Sequence, residues 1–325
     1  MSTCQITFNG VISDARIPLK NKCVETKDLK VMFGLKTSDK LLQRIGGEYI
    51  RIGRNIEVRP DTVIEIETER HYSASDVKLT MNWVCRVCDL NDDNINEYDI
   101  NMKLFKEPRN WDWLLQGIRY AFLWKRNLEA STRTMIDMLV LFILNTDDIA
   151  MNNHPLFVQS EISGLVHQNG LPEFRLKAQA DYIISHTNQE YDELNLYNGI
   201  CIIEAKKEKE DLKFQHTIQL IAECGVLFKH RLRNEKEKAY GVLSNFKEWK
   251  FIKIDEGNIF ETKRVITIDT DRLQCVSMKV KNKESDLELI NIIKPAFMNL
   301  YCVIMESISN SPRGSVLNSI QNLFE

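Results

Sequence analysis

The sequence predicts an α/β protein in two parts, a small N-terminal α+β domain and a larger domain in which helices flank a mixed sheet. Short strand-like segments around one helix fill the first part, and helical periodicity begins abruptly beyond Pro108. Strand and helix patterns then succeed one another up to residue 309. The predicted divisions are 1–70 for the first domain, 71–110 for a linker or extra strand, 111–310 for the second domain and 311–325 for a tail.

Five short segments define the N-terminal domain. Residues 4–11 and 15–20 flank a turn and predict a β-hairpin. Residues 26–35 carry apolar residues near helical spacing, which predicts a helix. Residues 47–53 and 61–69 alternate apolar and polar side chains, as half-buried strands do. The residue pattern by itself supports a small α+β domain.

The segment between the two domains is more polar than either neighbour. The stretch "DLNDDNINEYD" at 89–99 is acidic and predicts a loop, which makes it the best candidate for a linker. Before it, "NWVCRVCDL" alternates in a way that predicts one more strand. Cys85 and Cys88 have half of a zinc-site spacing, but no second close pair follows, so we interpret them as strand positions.

The larger domain is predicted from patterns that change in a regular order. Two helices come first, at 111–124 and 127–145, and a long amphipathic helix follows later, at 212–232. A last helix at 285–309 contains Pro295, which predicts a kink. The strands are predicted at 155–166, 174–185, 199–207, 239–245, 249–255 and 264–269.

Composition limits the class of protein and its compartment. The chain of 325 residues has a formal net charge of −3, so nucleic acid would have to bind at a local basic patch. Its eight cysteines are scattered, which favours a reducing compartment. No standard signal peptide begins the sequence, and no uninterrupted apolar run is long enough for a bilayer. We therefore expect a soluble, intracellular protein without membrane contact.

Charged residues edge two apolar runs that otherwise read as buried strands. Asp181 opens "DYIIS", while Glu204 and Lys206 close "ICIIEAK". If the two strands pair, both carboxylates project from one edge of the sheet, where hard oxygen ligands suit Mg²⁺ or Mn²⁺. Lys206 shares a strand face with Glu204 and could position or deprotonate a water. The alternative is that both strands simply run out into solvent.

The ordered set around these residues resembles the PD-(D/E)XK nuclease superfamily. Asp181 and the "EAK" at 204–206 match its core motif, and "NLEASTRTMID" resembles the helix that carries its glutamate, here Glu129. "FQHTIQLIAE" resembles the helix after the motif, which would place Gln215 or Gln219 against the site. "YGVLSNFKEWKFIKI" resembles the strand pair that follows, so the likeness covers about residues 127–255.

This resemblance implies a role for each matching residue. Asp181 would bridge the metal, Glu204 would supply the second carboxylate, and the carbonyl of Ala205 would complete the coordination. Lys206 would position or activate the attacking water. Glu129 would bind a metal-bound water or a second metal.

Three further positions qualify the match. Gln219 would orient substrate or lysine, with a solvated helix position as its alternative. Glu161 would join the metal ligands, with a strand-surface acid as the alternative. Ala180 stands where the family usually has proline before the aspartate, which puts the shape of that turn in doubt.

A ubiquitin-like β-grasp domain placed before a PD-(D/E)XK domain is similar to the architecture of Crinkler-type effectors. The N-terminal motif "LFLAK" and the P-loop of larger members do not occur in this sequence. The resemblance implies a Mg²⁺-dependent nuclease that cuts DNA rather than RNA, in the cytoplasm or nucleus, which could be that of a host cell. It also implies protein partners for the ubiquitin-like domain. The alternative is an inactive nuclease fold that serves as an interaction module.

Two other features compete for a binding role. The segment "WDWLLQGIRYAFLWKR" mixes aromatic and basic residues and could stack bases, although buried aromatic side chains are the commoner explanation. His216 follows the candidate site in sequence, and we interpret it as a helix-surface histidine.

Overall fold

The computed structural model groups the chain into two compact units. Unit 1 contains 1–71 and 167–175, and unit 2 contains 72–166 and 176–325. The residues that the structure describes are 3–8, 11–18, 23–32, 41–45, 48–52, 55–57, 63–68, 70–76, 79–91, 95–121, 129–146, 156–168, 171–186, 199–232 and 238–310.

Unit 1 is built on a mixed sheet with one described helix. Its sheet has the order β2-β1-β7-β4-β5, with β1 and β7 parallel in the middle and the other neighbours antiparallel. The predicted hairpin is confirmed as β1 and β2. The elements are β1 (Thr3–Phe8), β2 (Val11–Pro18), β3 (Cys23–Glu25), α1 (Thr26–Met32), β4 (Leu41–Ile45), β5 (Glu48–Arg51), β6 (Asn55–Glu57) and β7 (Val63–Thr68).

The remaining elements are the strands of the larger sheet and the helices that accompany them. They are β8 (Arg70–Ser73), α2 (Met81–Cys88), β9 (Ile95–Glu97), a 3₁₀ turn (Met102–Leu104), α3 (Asp112–Ala121), α4 (Glu129–Leu144), β10 (Leu156–Gln168), β11 (Leu171–His186), β12 (Gly199–Ala205), α5 (Phe214–Leu232), β13 (Lys238–Ser244), β14 (Glu248–Asp255), β15 (Asn258–Glu261), β16 (Ile266–Thr267), α6 (Thr270–Ser277) and α7 (Lys283–Ser309).

Helices cover both faces of the unit 2 sheet, as the sequence predicts. The strand order is β10-β11-β12-β13-β14-β15-β9, and β12 runs antiparallel to β11 but parallel to β13. Alternate residues of β12, Cys201 and Ile203, join an apolar core with residues of α4 and α7. The opposite face lies against α5, where Gly241 of β13 approaches Leu220 and Cys224 closely. The candidate carboxylates Asp181 and Glu204 lie on β11 and β12, the second and third strands in this order.

The strand predicted around Cys85 and Cys88 is wrong, because Met81–Cys88 forms a helix. Trp83, Val84 and Val87 are buried with the two cysteines, and this spacing of three and four residues is that of a helix face. Over eight residues the same letters also fit an alternating strand, so the pattern was ambiguous. Within the predicted acidic loop, β9 adds an edge strand parallel to β15.

Helix α7 is the one described helix that is long and apolar enough to cross a membrane by length and composition. Half of its most apolar window is buried inside the protein, as in core helices of soluble proteins. Pro295 lies within this helix, at the position predicted from the sequence. The fold is compatible with the soluble protein expected from the sequence.

Replacing Gly241 by alanine should destabilise unit 2 by about 2 kcal/mol, the usual range for overpacking a core. A Cβ at this position would overlap Sγ of Cys224 and lie 3.1 Å from Leu220. Urea unfolding measures the effect. Because the cause is a clash with sulfur, adding Cys224→Ala should recover part of the loss, whereas additive losses would contradict this packing.

Candidate active site

Asp181 and Glu204 lie on neighbouring antiparallel strands near the end of the sheet. Tyr182 of β11 pairs with Ile203 of β12, so the next pair in this register is Asp181 opposite Glu204. Side chains directly opposite in an antiparallel pair project to the same face. The Ala205 backbone N–H also donates to Asp181 Oδ2, at 2.8 Å. The two carboxylates are thus held side by side by the strand pairing.

Lys206 connects the second carboxylate to the helix that follows. Its ammonium donates to Glu204 Oε1 at 2.7 Å and to Gln219 Oε1 at 2.9 Å. The amide of Gln219 donates back to Glu204 Oε1 at 2.7 Å. These three bonds close a ring of carboxylate, ammonium and amide between β12 and α5. Of the two glutamines that the sequence allowed, Gln219 is the one at the site.

Gln215 has a different role. Its amide donates to the backbone carbonyls of Asp76 and Leu79, both at 3.3 Å. It therefore ties the start of α5 to the segment before α2 and does not join the ring.

Glu223 is a residue of this site that sequence reasoning missed. Its Oε1 accepts a hydrogen bond of 2.9 Å from the Gln219 amide, and its side chain is fully buried. It lies four residues after Gln219, on the same face of α5. The four-residue spacing can be read from "QLIAE". The sequence does not show, however, which side chain a glutamate on an apolar helix face contacts.

Arg133 of α4 approaches the site from another element. Its guanidinium donates to Asp181 Oδ1, so both oxygens of Asp181 have protein partners. Asp137 lies one turn further along α4, close enough for the charge of Arg133 to act on it. Burial raises the pKa of Asp137, while a hydrogen bond from Tyr182 and the charge of Arg133 oppose the rise.

Burial and like charges determine the protonation of the carboxylates. Burial raises the pKa of Glu204 to about 7, and the charge of Asp181 adds to the rise although Lys206 opposes it. Burial, with the charge of Glu204 as the second cause, raises the pKa of Glu223 well above its ordinary value. Glu223 therefore resists ionisation at neutral pH, and Glu204 is near the middle of its titration there.

The pKa of Lys206 is raised as well, although an ion pair by itself would raise the pKa of the base and lower that of the acid. Burial acts to lower the pKa of Lys206, but the charge and hydrogen bond of Glu204, with the charges of Glu223 and Asp181, raise it overall. The two shifts are compatible because several carboxylates surround one ammonium. Lys206 therefore stays protonated, and its single positive charge does not balance the carboxylates around it.

The chain matches none of the known protein-family models, and no curated protein is significantly similar to it. Any function proposed for the chain therefore rests on the geometry of the site.

Two carboxylate oxygens of the site are buried without a hydrogen-bond partner among the described residues. They are Oε2 of Glu204 and Oε2 of Glu223. An unpartnered carboxylate oxygen inside a protein is costly, and a cation would satisfy it. In the described part of the chain, no group of three or more His, Cys, Asp or Glu side chains is placed to hold a metal ion by itself. The protein residues would thus supply part of an oxygen shell, and water or phosphate the rest, as is usual for Mg²⁺.

Two predicted ligands lie where their side chains are outside the described residues. Glu129 is the first residue of α4, one turn before Arg133, and Glu161 lies in β10. Their roles toward the metal stay predictions. Ala180 is buried directly before Asp181 within β11, so this segment is a continuous strand.

The loop after Lys206 is fixed by hydrogen bonds to the turn between β13 and β14. The Lys206 N–H donates to the Ser244 carbonyl at 2.8 Å, and the Asn245 amide donates to the Glu210 carbonyl at 2.8 Å. His216 is half-buried on its helix, with a side chain that is 14% exposed and lies 3.4 Å from Glu210. Burial, with the charge of Lys206 as the second cause, lowers its pKa.

The structure describes the aromatic segment over residues 111–121, where one aromatic side chain is buried and two, Trp113 and Tyr120, are exposed. Trp111 is buried, and the guanidinium of Arg119 binds Asp286 and the hydroxyl of Ser285 at the start of α7. Trp113 differs, since it is 54% exposed and stacks on Phe142. These two rings line an open cleft of about 860 Å³ with seven polar or ring-bearing neighbours, namely Lys106, Glu107, Pro108, Arg109, Asn110, Asn145 and Thr146.

Proposed function

We propose that unit 2 is a Mg²⁺- or Mn²⁺-dependent nuclease that hydrolyses phosphodiester bonds, with DNA ahead of RNA as its substrate. One observation carries the proposal. The half-buried ammonium of Lys206 is bonded to both Glu204 and Gln219 while Asp181 lies on the neighbouring strand, beside Glu204. A lysine between paired carboxylates and a conformationally fixed amide is suited to hydrolysis of an anionic ester.

The residues would divide the work as follows. Asp181, Glu204 and the Ala205 carbonyl would hold the cation, which would supply Lewis acidity and lower the pKa of a bound water. Lys206 would place the attacking water and offset phosphate charge. Gln219 would keep the Lys206 ammonium in place, because its amide bonds both that ammonium and Glu204.

The order of elements supports the nuclease assignment by fold analogy. Helix α4 precedes β10, β11 and β12, and α5 then leads to β13, which lies parallel to β12. That is the order expected from the PD-(D/E)XK resemblance. In unit 1, parallel β1 and β7 at the centre of the order β2-β1-β7-β4-β5 support a ubiquitin-like β-grasp. Fold analogy alone does not establish an activity, so the proposed activity rests on the geometry of the site.

The role of unit 1 and the cellular setting follow from the Crinkler-like architecture. Under this proposal unit 1 binds protein partners, and the nuclease acts in the cytoplasm or nucleus, in the manner of an effector inside a host cell. The competing proposal is that the nuclease fold no longer cuts and that both units bind proteins.

Asp181→Ala should reduce cleavage by at least about 100-fold, because it removes one of the two strand-borne carboxylates that hold the cation. Plasmid, linear duplex and single-stranded DNA, with RNA in parallel, are incubated with protein in Mg²⁺ or Mn²⁺ and resolved on gels. The exposed Asp211, replaced by alanine, is the matched control and should cut like the wild type. If wild type and Asp181→Ala are equally inert with every substrate and metal, the nuclease proposal fails and the interaction module takes its place.

A further inference from the structure

Arg133 occupies the carboxylate that the cation would need. Its guanidinium donates to Asp181 Oδ1, while the Ala205 N–H holds Oδ2. The Asp181 side chain is 12% exposed and that of Arg133 is 33% exposed. The pair is therefore partly buried at its acidic end and open to solvent along the arginine. About a third of the Arg133 side chain is thus open to a ligand from solvent, although its Nε is buried.

A cation bound by Asp181 and Glu204 would be repelled by this guanidinium. Like charges a few ångströms apart in a partly buried site oppose each other by several kcal/mol at most and less where water reaches them. The repulsion falls if Arg133 moves or if an anion neutralises it. Asp137 lies one turn along α4 within the range of the Arg133 charge, so a second carboxylate is near the arginine if it leaves Asp181.

We propose that Arg133 is the phosphate-binding residue of this site, held by Asp181 until a divalent cation takes that carboxylate. This inference rests on the proposed function. Guanidinium groups bind phosphate oxygens through two parallel N–H donors, and Arg133 projects from α4 next to the carboxylates that would hold the cation. The phosphodiester would thus replace Asp181 as the partner of Arg133.

The exchange links the two ligands thermodynamically. The cation releases Arg133 from Asp181, which strengthens phosphate binding, and phosphate neutralises Arg133, which strengthens cation binding. Each ligand must raise the affinity of the other by the same factor. A site in which Arg133 only fixed Asp181 would show only the coupling that comes from coordination of the cation by phosphate, and that part would not depend on Arg133.

Mn²⁺ binding to the full chain tests the proposal without relying on turnover. Electron paramagnetic resonance measures free Mn²⁺ with and without a short DNA duplex whose linkages are non-hydrolysable methylene phosphonates. For the wild type, the duplex should tighten Mn²⁺ binding about fivefold or more. Arg133→Gln should bind Mn²⁺ more tightly than the wild type in the absence of DNA and should show a clearly smaller tightening when DNA is added.

Two further variants separate charge from geometry. Arg133→Lys keeps the charge but loses the paired donors, so it should retain part of the coupling. Arg264→Gln removes a positive charge from an exposed residue elsewhere and should leave the coupling unchanged. Thermal unfolding confirms that each variant is folded.

The outcomes distinguish this inference from the proposed function. If the wild type binds Mn²⁺ and DNA but Arg133→Gln shows the same coupling, the role of Arg133 is wrong and the metal site stands. If the folded wild type binds no Mn²⁺ with or without DNA, the metal-dependent function fails and the inference fails with it.

Discussion

Lys206→Met should lower phosphodiester cleavage by about 1000-fold or more while the protein stays folded. The ammonium is the group between Glu204 and Gln219, and methionine keeps its length but neither its charge nor its three donors. Removing a positioned proton-transfer group costs 10²- to 10⁴-fold in typical enzymes, as an order of magnitude. Lys206 also offsets the charge of Glu204. Its replacement should therefore slow the chemical step and also change the protonation of the site.

Lys207 provides a matched control for this experiment. It is the same residue type at the next position, but it is exposed, so Lys207→Met should cut at the wild-type rate. Initial rates on labelled duplex DNA at saturating Mg²⁺ measure the effect, and circular dichroism verifies folding. Equal rates for all three proteins would remove Lys206 from the reaction, and equal losses in both variants would point to a general effect on DNA binding.

The sequence identifies the acidic strand ends because charged residues stand out in apolar runs. Asp181, Glu204 and Lys206 interrupt segments whose other members are buried, and a two-residue period places Glu204 and Lys206 on one face. The structure adds the register that sets Asp181 opposite Glu204. Register depends on long-range pairing between strands, which the local pattern of either strand does not contain.

The partners of these residues were harder to predict, since they come from distant elements. Arg133 lies 48 residues before Asp181, and nothing in "STRTMID" states that its guanidinium turns to that carboxylate. Glu223 lies among apolar residues of α5, where a buried acid is unexpected until Gln219 is seen to bond it.

The errors in predicting the fold from the sequence fall in short segments. In "NWVCRVC" a period of two and a period of 3.6 fit equally well, and packing of the helix against α5 decides between them, since Cys88 lies against Gly225. Strand β9 has three exposed residues and little apolar signal, so only its pairing with β15 defines it. In both cases tertiary contacts, which are invisible locally, determine the structure.

Glu204→Gln should stabilise the metal-free protein at pH 8 by about 3 kcal/mol, although it should abolish cleavage. Burial and Asp181 raise the pKa of Glu204 from 4.5 to about 7. An acid with a raised folded-state pKa binds its proton more tightly when folded. Its contribution to stability is therefore full below pH 4.5, declines as the pH rises to about 7 and is lost above that. Glutamine, which does not ionise, avoids this loss.

Urea unfolding in a chelator between pH 4.5 and 8 measures the prediction. The difference between Glu204→Gln and the wild type should be near zero at pH 4.5 and should grow up to about pH 7. The exposed Glu97, replaced by glutamine, should show no such pH dependence. A constant difference across the range would mean that Glu204 ionises normally and that its burial is not costly.

Mg²⁺ should reverse the order of stability at pH 8. A ligand that binds only the folded state stabilises it by mass action, so saturating Mg²⁺ should raise the unfolding free energy of the wild type. Glu204→Gln lacks the second carboxylate and should gain much less. A buried acid that destabilises the metal-free fold is typical of a binding site kept for function. Binding of the cation offsets the lost stability. If Mg²⁺ stabilised both proteins equally, Glu204 would not be a metal ligand.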